Sequence, residues 1–390
     1  MRHLDIITKK YDQVLLVLIV LLCVIGTVML YSSSSSISME ETKGATDTLF
    51  LQAHLKRLLA AVIALFFFML LDYRLLKKAA PALLIGSLVL LMFTKLIYVV
   101  QGISFPARWL DIGFISIQTS DLARFSIIIY LAYYIDKKRA LIKDFYKGFI
   151  PPLILTVLVM SMIIIQPDFS TAAVIGLVCF VLLFLGGARL SHLLTTGIVS
   201  ICILIPVMLM RSYRMKRVIY WLGSLFNDNP GQDQEIVGYQ VQQSLISLGN
   251  GGFTGLGLGN SMEKNLFLPT PHTDFIFAII GEELGLVGVI FVLTLFLLVF
   301  QRCIKIAKDT TDPFGVMLAV GLAFSFIIYA FINVAVVTNL VPTTGLPMPL
   351  ISYGGSGLVI NLASLGILLN ISQAKRSVQH RNGWKPKLYG

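Results

Sequence analysis

Charge is what this sequence has least of: 13% of its 390 residues are Asp, Glu, Lys or Arg, about half the roughly 25% of an ordinary soluble domain. That shortage excludes a chain solvated by water on all sides. The apolar residues, 56% of the total, stand in uninterrupted runs rather than in amphipathic stripes, which points to lipid as the solvent. Cysteine is scarce too. Cys23, Cys179, Cys202 and Cys303 lie in or beside apolar runs with no CxxC spacing, so neither a disulfide framework nor a zinc-type ligand set is indicated. The net charge is +11, but Lys and Arg are scattered in short clusters between apolar runs. That pattern orients a membrane protein and argues against a nucleic-acid partner. Glycine repeats through residues 249–259 without the βαβ setting of a dinucleotide site, so no nucleotide or organic cofactor is expected there; a tight, close-packed turn is.

What is present is a series of spans. At about twenty apolar residues per crossing, ten candidates emerge, at residues 14–31, 57–72, 79–99, 122–135, 149–165, 171–187, 193–209, 275–300, 314–339 and 357–373. The first follows Arg2, Lys9 and Lys10 and precedes Ser32–Ser36; it is too long for a signal-peptide h-region and reads as a transmembrane helix, with the serine run as a short outer linker. With the N-terminus inside, twenty of the thirty-one Lys and Arg fall in inner segments, including the basic tail 374–390, as the positive-inside rule requires. The expectation is an all-α polytopic membrane protein forming one domain over residues 1–390, with about ten transmembrane helices and both termini cytoplasmic. A large extracytoplasmic loop, 210–273, joins the seventh and eighth spans. It opens with Arg211, Arg214, Lys216 and Arg217, a basic amphipathic helix at the interface, and continues into a polar surface turn near residues 227–234.

An ionisable residue kept at the edge of an apolar span is costly and marks function by default. Arg108, Asp111, Asp121, Arg124, Asp168, Asp274, Glu282 and Glu283 all map to outward-facing ends. Together they suggest an outer-leaflet cleft for an anionic, partly lipidic substrate. Of the charges, only Lys95 lies well within an apolar run, which weakens an ion-transport reading. Asp274 sits at the first turn of the eighth span, where it either caps that helix or acts as a general base or metal ligand. Glu282 and Glu283 point about 100° apart on a helix, so at most one, taken as Glu283, shares a groove with Asp274; His272 reads more readily as structural. Residues 340–357 carry three prolines, four glycines and no charge, fitting a re-entrant cleft wall that includes Ser352.

Four patterns give the chain a resemblance. They are Arg108-Trp109 with Gln118-Thr119-Ser120-Asp121-Leu122-Ala123-Arg124; Gln166-Pro167-Asp168-Phe169-Ser170-Thr171; Pro271-His272-Thr273-Asp274 with Gly281-Glu282-Glu283-Leu284-Gly285; and Gly345 through Ser356. They resemble the SEDS proteins (shape, elongation, division and sporulation), and the proline before His272-Thr273-Asp274 resembles the division branch more than the elongation branch. Three positions depart from the usual pattern: Thr119 for proline, Asp121 for glutamate and Arg124 for lysine. Arginine does not give up its proton, so proton transfer at position 124 is put in doubt and an ion pair with Asp274 is expected instead.

The resemblance implies a peptidoglycan glycosyltransferase at the outer face of the cytoplasmic membrane. It would polymerise lipid II, release undecaprenyl pyrophosphate, and work beside a class B penicillin-binding protein and other divisome or elongasome membrane proteins. Asp274 is then the base, and Arg108, Arg124, Arg211, Arg214 and Arg217, with Asp168, Glu283 and Ser352, hold substrate. Mg²⁺ or Mn²⁺ on the Asp274 carboxylate matches the residue types better than zinc does. A lipid II flippase and a non-catalytic scaffold for the penicillin-binding protein are the alternatives.

Overall fold

The computed structural model describes residues 11–100, 108–112, 115–210, 212–226, 235–263, 268 and 271–381. Arg211, the 227–234 turn and residues 382–390 of the tail lie outside them, as does the side chain of Asp111. Each of the ten expected spans lies on a helix: α1 (Gln13–Glu41), α2 (Leu49–Leu70), α3 (Tyr73–Val100), α4 (Thr119–Lys137), α5 (Ile150–Ile165), α6 (Phe169–Leu185), α7 (Leu190–Leu209), α10 (Ile276–Asp309), α11 (Pro313–Val337) and α12 (Ser356–Arg381). The 210–273 loop adds α8 (Ser212–Leu225), the expected amphipathic helix, and α9 (Glu235–Gly251). Among the described residues, eight helical segments are long and apolar enough to cross a membrane, and α6 is apolar but shorter.

Local chemistry starts these helices where they start. The Asp12 carboxylate accepts from the Leu15 N–H at 2.9 Å and caps α1. Prolines stand in the first turns of α5 and α11, where a missing N–H costs nothing. The first helix does not stop at the serines. It continues to Glu41 with Ser32, Ser33 and Ser34 buried, because hydroxyls that bond to carbonyls a turn back, as Ser38 does to Ser34 at 2.8 Å, are satisfied within the helix. The outer-linker reading of Ser32–Ser36 is therefore corrected.

A second departure is β1 (Trp109–Ile112) paired antiparallel with β2 (Ile115–Gln118), Trp109 opposite Gln118. This small hairpin, the one sheet among the described residues, hands the chain to α4.

Helix α11 packs against α10, α4, α6 and α12, while α12 lies along α2. The α12–α2 approach is close: a Cβ on Gly366 would come within 2.4 Å of the Leu65 carbonyl oxygen, the small-residue contact that lets membrane helices meet backbone to backbone. Helix α7 is the opposite case, with one buried residue, Leu193, and long apolar side chains exposed along its length.

Candidate functional site

The start of α6, the ends of α7 and α11, helix α8 and the segment just before α10 meet around a cavity of about 380 Å³. Arg108, Asp168, Arg214, Arg217, Asp274 and the wall residues 341–346 line it. Arg108 reaches in from the start of the hairpin, its guanidinium donating to the carbonyl of Gln166 at 3.3 Å and to that of Pro167. Asp168 is held from two sides. One carboxylate oxygen takes the Thr171 N–H at 3.3 Å as the cap of α6, and the other accepts from Ser120 Oγ at 2.7 Å and Gln118 Nε2 at 3.1 Å.

Helix α8 supplies the second cationic side. Arg214 is buried with its guanidinium 5.2 Å above the Phe169 ring, and Arg217 donates to the Thr343 carbonyl at 2.9 Å. The Trp221 indole N–H donates to the Asn339 carbonyl at 3.1 Å. These bonds tie the amphipathic helix to the wall loop, so an interfacial element becomes part of the site.

Asp274 stands just before α10, half-buried. It does not cap the helix: the cap position is Phe275 and no side-chain capping bond is made, which removes the bland reading of this carboxylate. Its backbone carbonyl accepts from Asn333 Nδ2 at 2.7 Å. Burial pushes its pKa up to about 6, against the pull of Arg217 and Arg108, because removing a carboxylate from water disfavours its charged form. The adjacent His272 is buried in an aromatic stack, 4.5 Å from the Phe50 ring and 5.4 Å from Tyr353, and burial lowers its pKa to about 4. It is a neutral structural ring.

Three expected site residues are placed elsewhere. Arg124 does not pair with Asp274; its Nη2 lies 3.3 Å from Asp121 one turn away, and it donates to Ser325 at 3.1 Å and stacks 4.2 Å over Tyr329. A smaller pocket that shares Arg108, Asp168, Gly345 and Leu346 with the main cavity holds the pair. Helix geometry explains the correction, since an i,i+3 partner is within reach before any tertiary contact forms. Glu283 is corrected as well: it accepts from Ser32 Oγ at 2.6 Å and the Ser261 N–H at 3.4 Å, fastening α10 to α1 and to the glycine-rich turn away from the cavity. Ser352 accepts from the Met348 N–H at 2.8 Å and shapes the turn beneath the cavity. Arg211 lies outside the described residues.

The residues left unassigned by sequence are amides and hydroxyls: Gln118 and Ser120 on Asp168, and Asn333 on Asp274. Asn333 alone carried a signal, an amide in the last turns of an apolar span, which survives only when bonded.

Among the described residues no group of three or more His, Cys, Asp or Glu could hold a metal ion. The Asp168 oxygens are already engaged, which leaves Asp274 as the carboxylate facing the cavity. One carboxylate is too small a donor set for a resident divalent ion.

The cell cycle protein family FtsW/RodA/SpoVE matches residues 12–377 of the chain. A relative from Trichlorobacter lovleyi, named probable peptidoglycan glycosyltransferase FtsW, is 38% identical over 363 residues, 93% of each chain. Stage V sporulation protein E of Bacillus subtilis is 36% identical over 371 residues, 95% of this chain and 99% of its own. Among solved structures, a chain from a peptidoglycan synthase complex that coordinates polymerization and crosslinking matches with a TM-score of 0.75 at 26% identity, over 94% of this chain and 98% of that one. RodA of Thermus thermophilus matches at 0.64 and 25% identity, over 96% and 98%.

Proposed function

Because the chain belongs to the FtsW/RodA/SpoVE cell cycle protein family and is a peptidoglycan glycosyltransferase, we propose that the cavity around Asp274 polymerises lipid II at the outer face of the cytoplasmic membrane, for the division septum. The observation that carries this is the composition of the cavity: one carboxylate with a raised pKa among three arginines, Arg108, Arg214 and Arg217. A sugar 4-hydroxyl is a weak nucleophile. As its oxygen bonds to the anomeric carbon of the lipid-linked chain, its proton passes to Asp274, the general base. The bond from that carbon to the pyrophosphate breaks, and the charge that collects on the departing undecaprenyl pyrophosphate is met by the guanidiniums, already oriented by the Gln166, Pro167 and Thr343 carbonyls and the Phe169 ring. Mg²⁺ or Mn²⁺ would enter this reading only as an ion carried in by the pyrophosphate, and no step depends on it.

In this reading the working assembly includes a class B penicillin-binding protein. Its membrane helix has an apolar strip to use on α10, where Leu286, Val287, Ile290, Phe291, Leu297 and Leu298 are exposed; α11, buried at most positions, offers less.

The test is lipid II polymerisation by the purified chain with its penicillin-binding partner, the transpeptidase blocked. Wild type forms glycan strands, and Asp274→Asn forms them at least about 10²-fold more slowly while remaining folded. Full activity in Asp274→Asn would end the base assignment; lipid II movement across vesicles with no strands from either would favour the flippase.

A further inference from the structure

Asp274 stands on a short segment before α10 that is tied on one side to the 340–357 stretch, where the Tyr353 N–H donates to the His272 carbonyl at 2.8 Å. A second tie, at Asp274 itself, comes from α11. Asn333 is 1% exposed, and its Nδ2 donates twice, to the Asp274 carbonyl at 2.7 Å and to the Leu346 carbonyl at 2.9 Å. One side-chain nitrogen therefore bridges the loop that carries the base and the loop that walls the cavity. With two carbonyls facing it, the amide has one workable orientation, because turning it over would set oxygen against oxygen.

The two bridged loops meet at the carboxylate. A Cβ added to Gly345 would lie 3.4 Å from Asp274 Oδ2, so the wall stands directly behind the carboxyl group. The far side of the wall is anchored separately, by Arg217 on the Thr343 carbonyl at 2.9 Å and by Ser170 Oγ on the Thr344 carbonyl at 3.0 Å. Asn333 joins this anchored wall to the base loop.

Replacing Asn333 by an apolar residue would leave the Asp274 and Leu346 carbonyls without this shared donor. What the asparagine brings is the pair of donor bonds.

We propose that Asn333 is a positioning residue for catalysis: it sets the Asp274 carboxylate at its working distance from the cavity wall by fastening both loops to α11. This rests on the reading of Asp274 as the base. Displacing a catalytic group by about 1 Å costs on the order of 100-fold in rate, while substrate affinity, carried by the three arginines, stays in place.

The experiment uses the full chain with its penicillin-binding partner, measuring kcat and KM for lipid II together with thermal unfolding. Asn333→Leu fills the same space without donors, and Asn333→Ser keeps a single one. The expected result is a kcat lower by about 100-fold in Asn333→Leu and intermediate in Asn333→Ser, with KM within about threefold of wild type. Asn370→Ala is the control. It removes a buried amide at the far end of the bundle that donates to the Met69 carbonyl at 2.8 Å and accepts from the Tyr73 N–H at 3.0 Å, and it should lower stability without lowering kcat. An unchanged kcat in both Asn333 variants overturns the proposal, as does the same kcat loss in Asn370→Ala. If Asn333→Leu does not fold, a wild-type kcat in Asn333→Ser overturns it alone. Where Asp274→Asn is dead and the Asn333 variants are normal, this proposal falls and the base assignment stands; where wild type makes no strands or Asp274→Asn stays active, both fall.

Discussion

Two carboxylates at the edge of this bundle are given different work by their surroundings. Asp168 accepts from Ser120, Gln118 and the Thr171 backbone, so both of its oxygens are committed to joining the starts of α4 and α6. Asp274 has its pKa raised to about 6 by burial, opposed by Arg217 and Arg108, and so stands where a base can both take and release a proton near neutral pH. The sign follows directly: the carboxylate is the working form, present above about pH 6 and lost as the pH falls through that value. The initial rate of lipid II polymerisation, measured from pH 5 to 8, should therefore fall by about tenfold per unit below the midpoint. Arg217→Ala removes a cation that favours ionisation and should move this limb to higher pH; a limb that stays put would show that Arg217 does not act on Asp274. Asp274 itself was legible from sequence, because a charge beside an apolar span stands out. The partner of Arg124 was legible too, in the i,i+3 spacing of Asp121 on α4, but the expectation went to Asp274 instead; the packing of α4 against α11 adds Ser325 and Tyr329 to the guanidinium.

At the scale of elements, hydropathy located the helices, and what it missed are the pieces held by backbone. The hairpin of β1 and β2 has four residues a side, too short for a period to show. The glycine-rich stretch was expected to be a close-packed turn, and the structure gives its partner: α10 is broken at Gly285, φ +65°, and a Cβ there would lie 2.3 Å from the Gly255 nitrogen. The turn and the kink are stitched by the Leu256 and Gly257 N–H groups donating to the Glu282 and Glu283 carbonyls, both at 3.0 Å. At Gly255, φ +82°, an added Cβ would lie 2.2 Å from the Glu283 carbonyl oxygen. Gly255→Ala must therefore adopt a left-handed conformation and push two backbones apart, a loss of about 2–3 kcal/mol. Thermal unfolding in detergent should show it as a drop of several degrees. Gly249→Ala is the contrast, a helical position of α9 where the added carbon meets nothing within 4 Å, and it should be neutral or raise stability by up to about 1 kcal/mol. Equal effects at the two positions would mean that the turn does not pack on α10 as described.

At the scale of the whole molecule, the charge pattern assigns sides to the membrane and the structure lets the cavity be assigned with them. Ser32 near the far end of α1 bonds to Glu283 near the start of α10, so the 42–48 connection and the Asp274 loop share one end of the bundle. At the other end Lys77 of α3 meets Asp136 of α4 at 2.5 Å, and Tyr73 stacks on Phe314 at the start of α11, which places the basic loops there together. If the basic end is cytoplasmic, the cavity opens outward, where a polymer for the cell wall must emerge. A cysteine at exposed Lys43 and one at exposed Arg139 separate the two sides. Added to intact cells, a membrane-impermeant maleimide should label Lys43→Cys above the background of the four native cysteines. Arg139→Cys should be labelled only after the membrane is opened. The reverse pattern would turn the arginine-lined cavity toward the cytoplasm, and with it the lipid-linked substrate would have to be polymerised before crossing the membrane, which the proposed reaction does not allow.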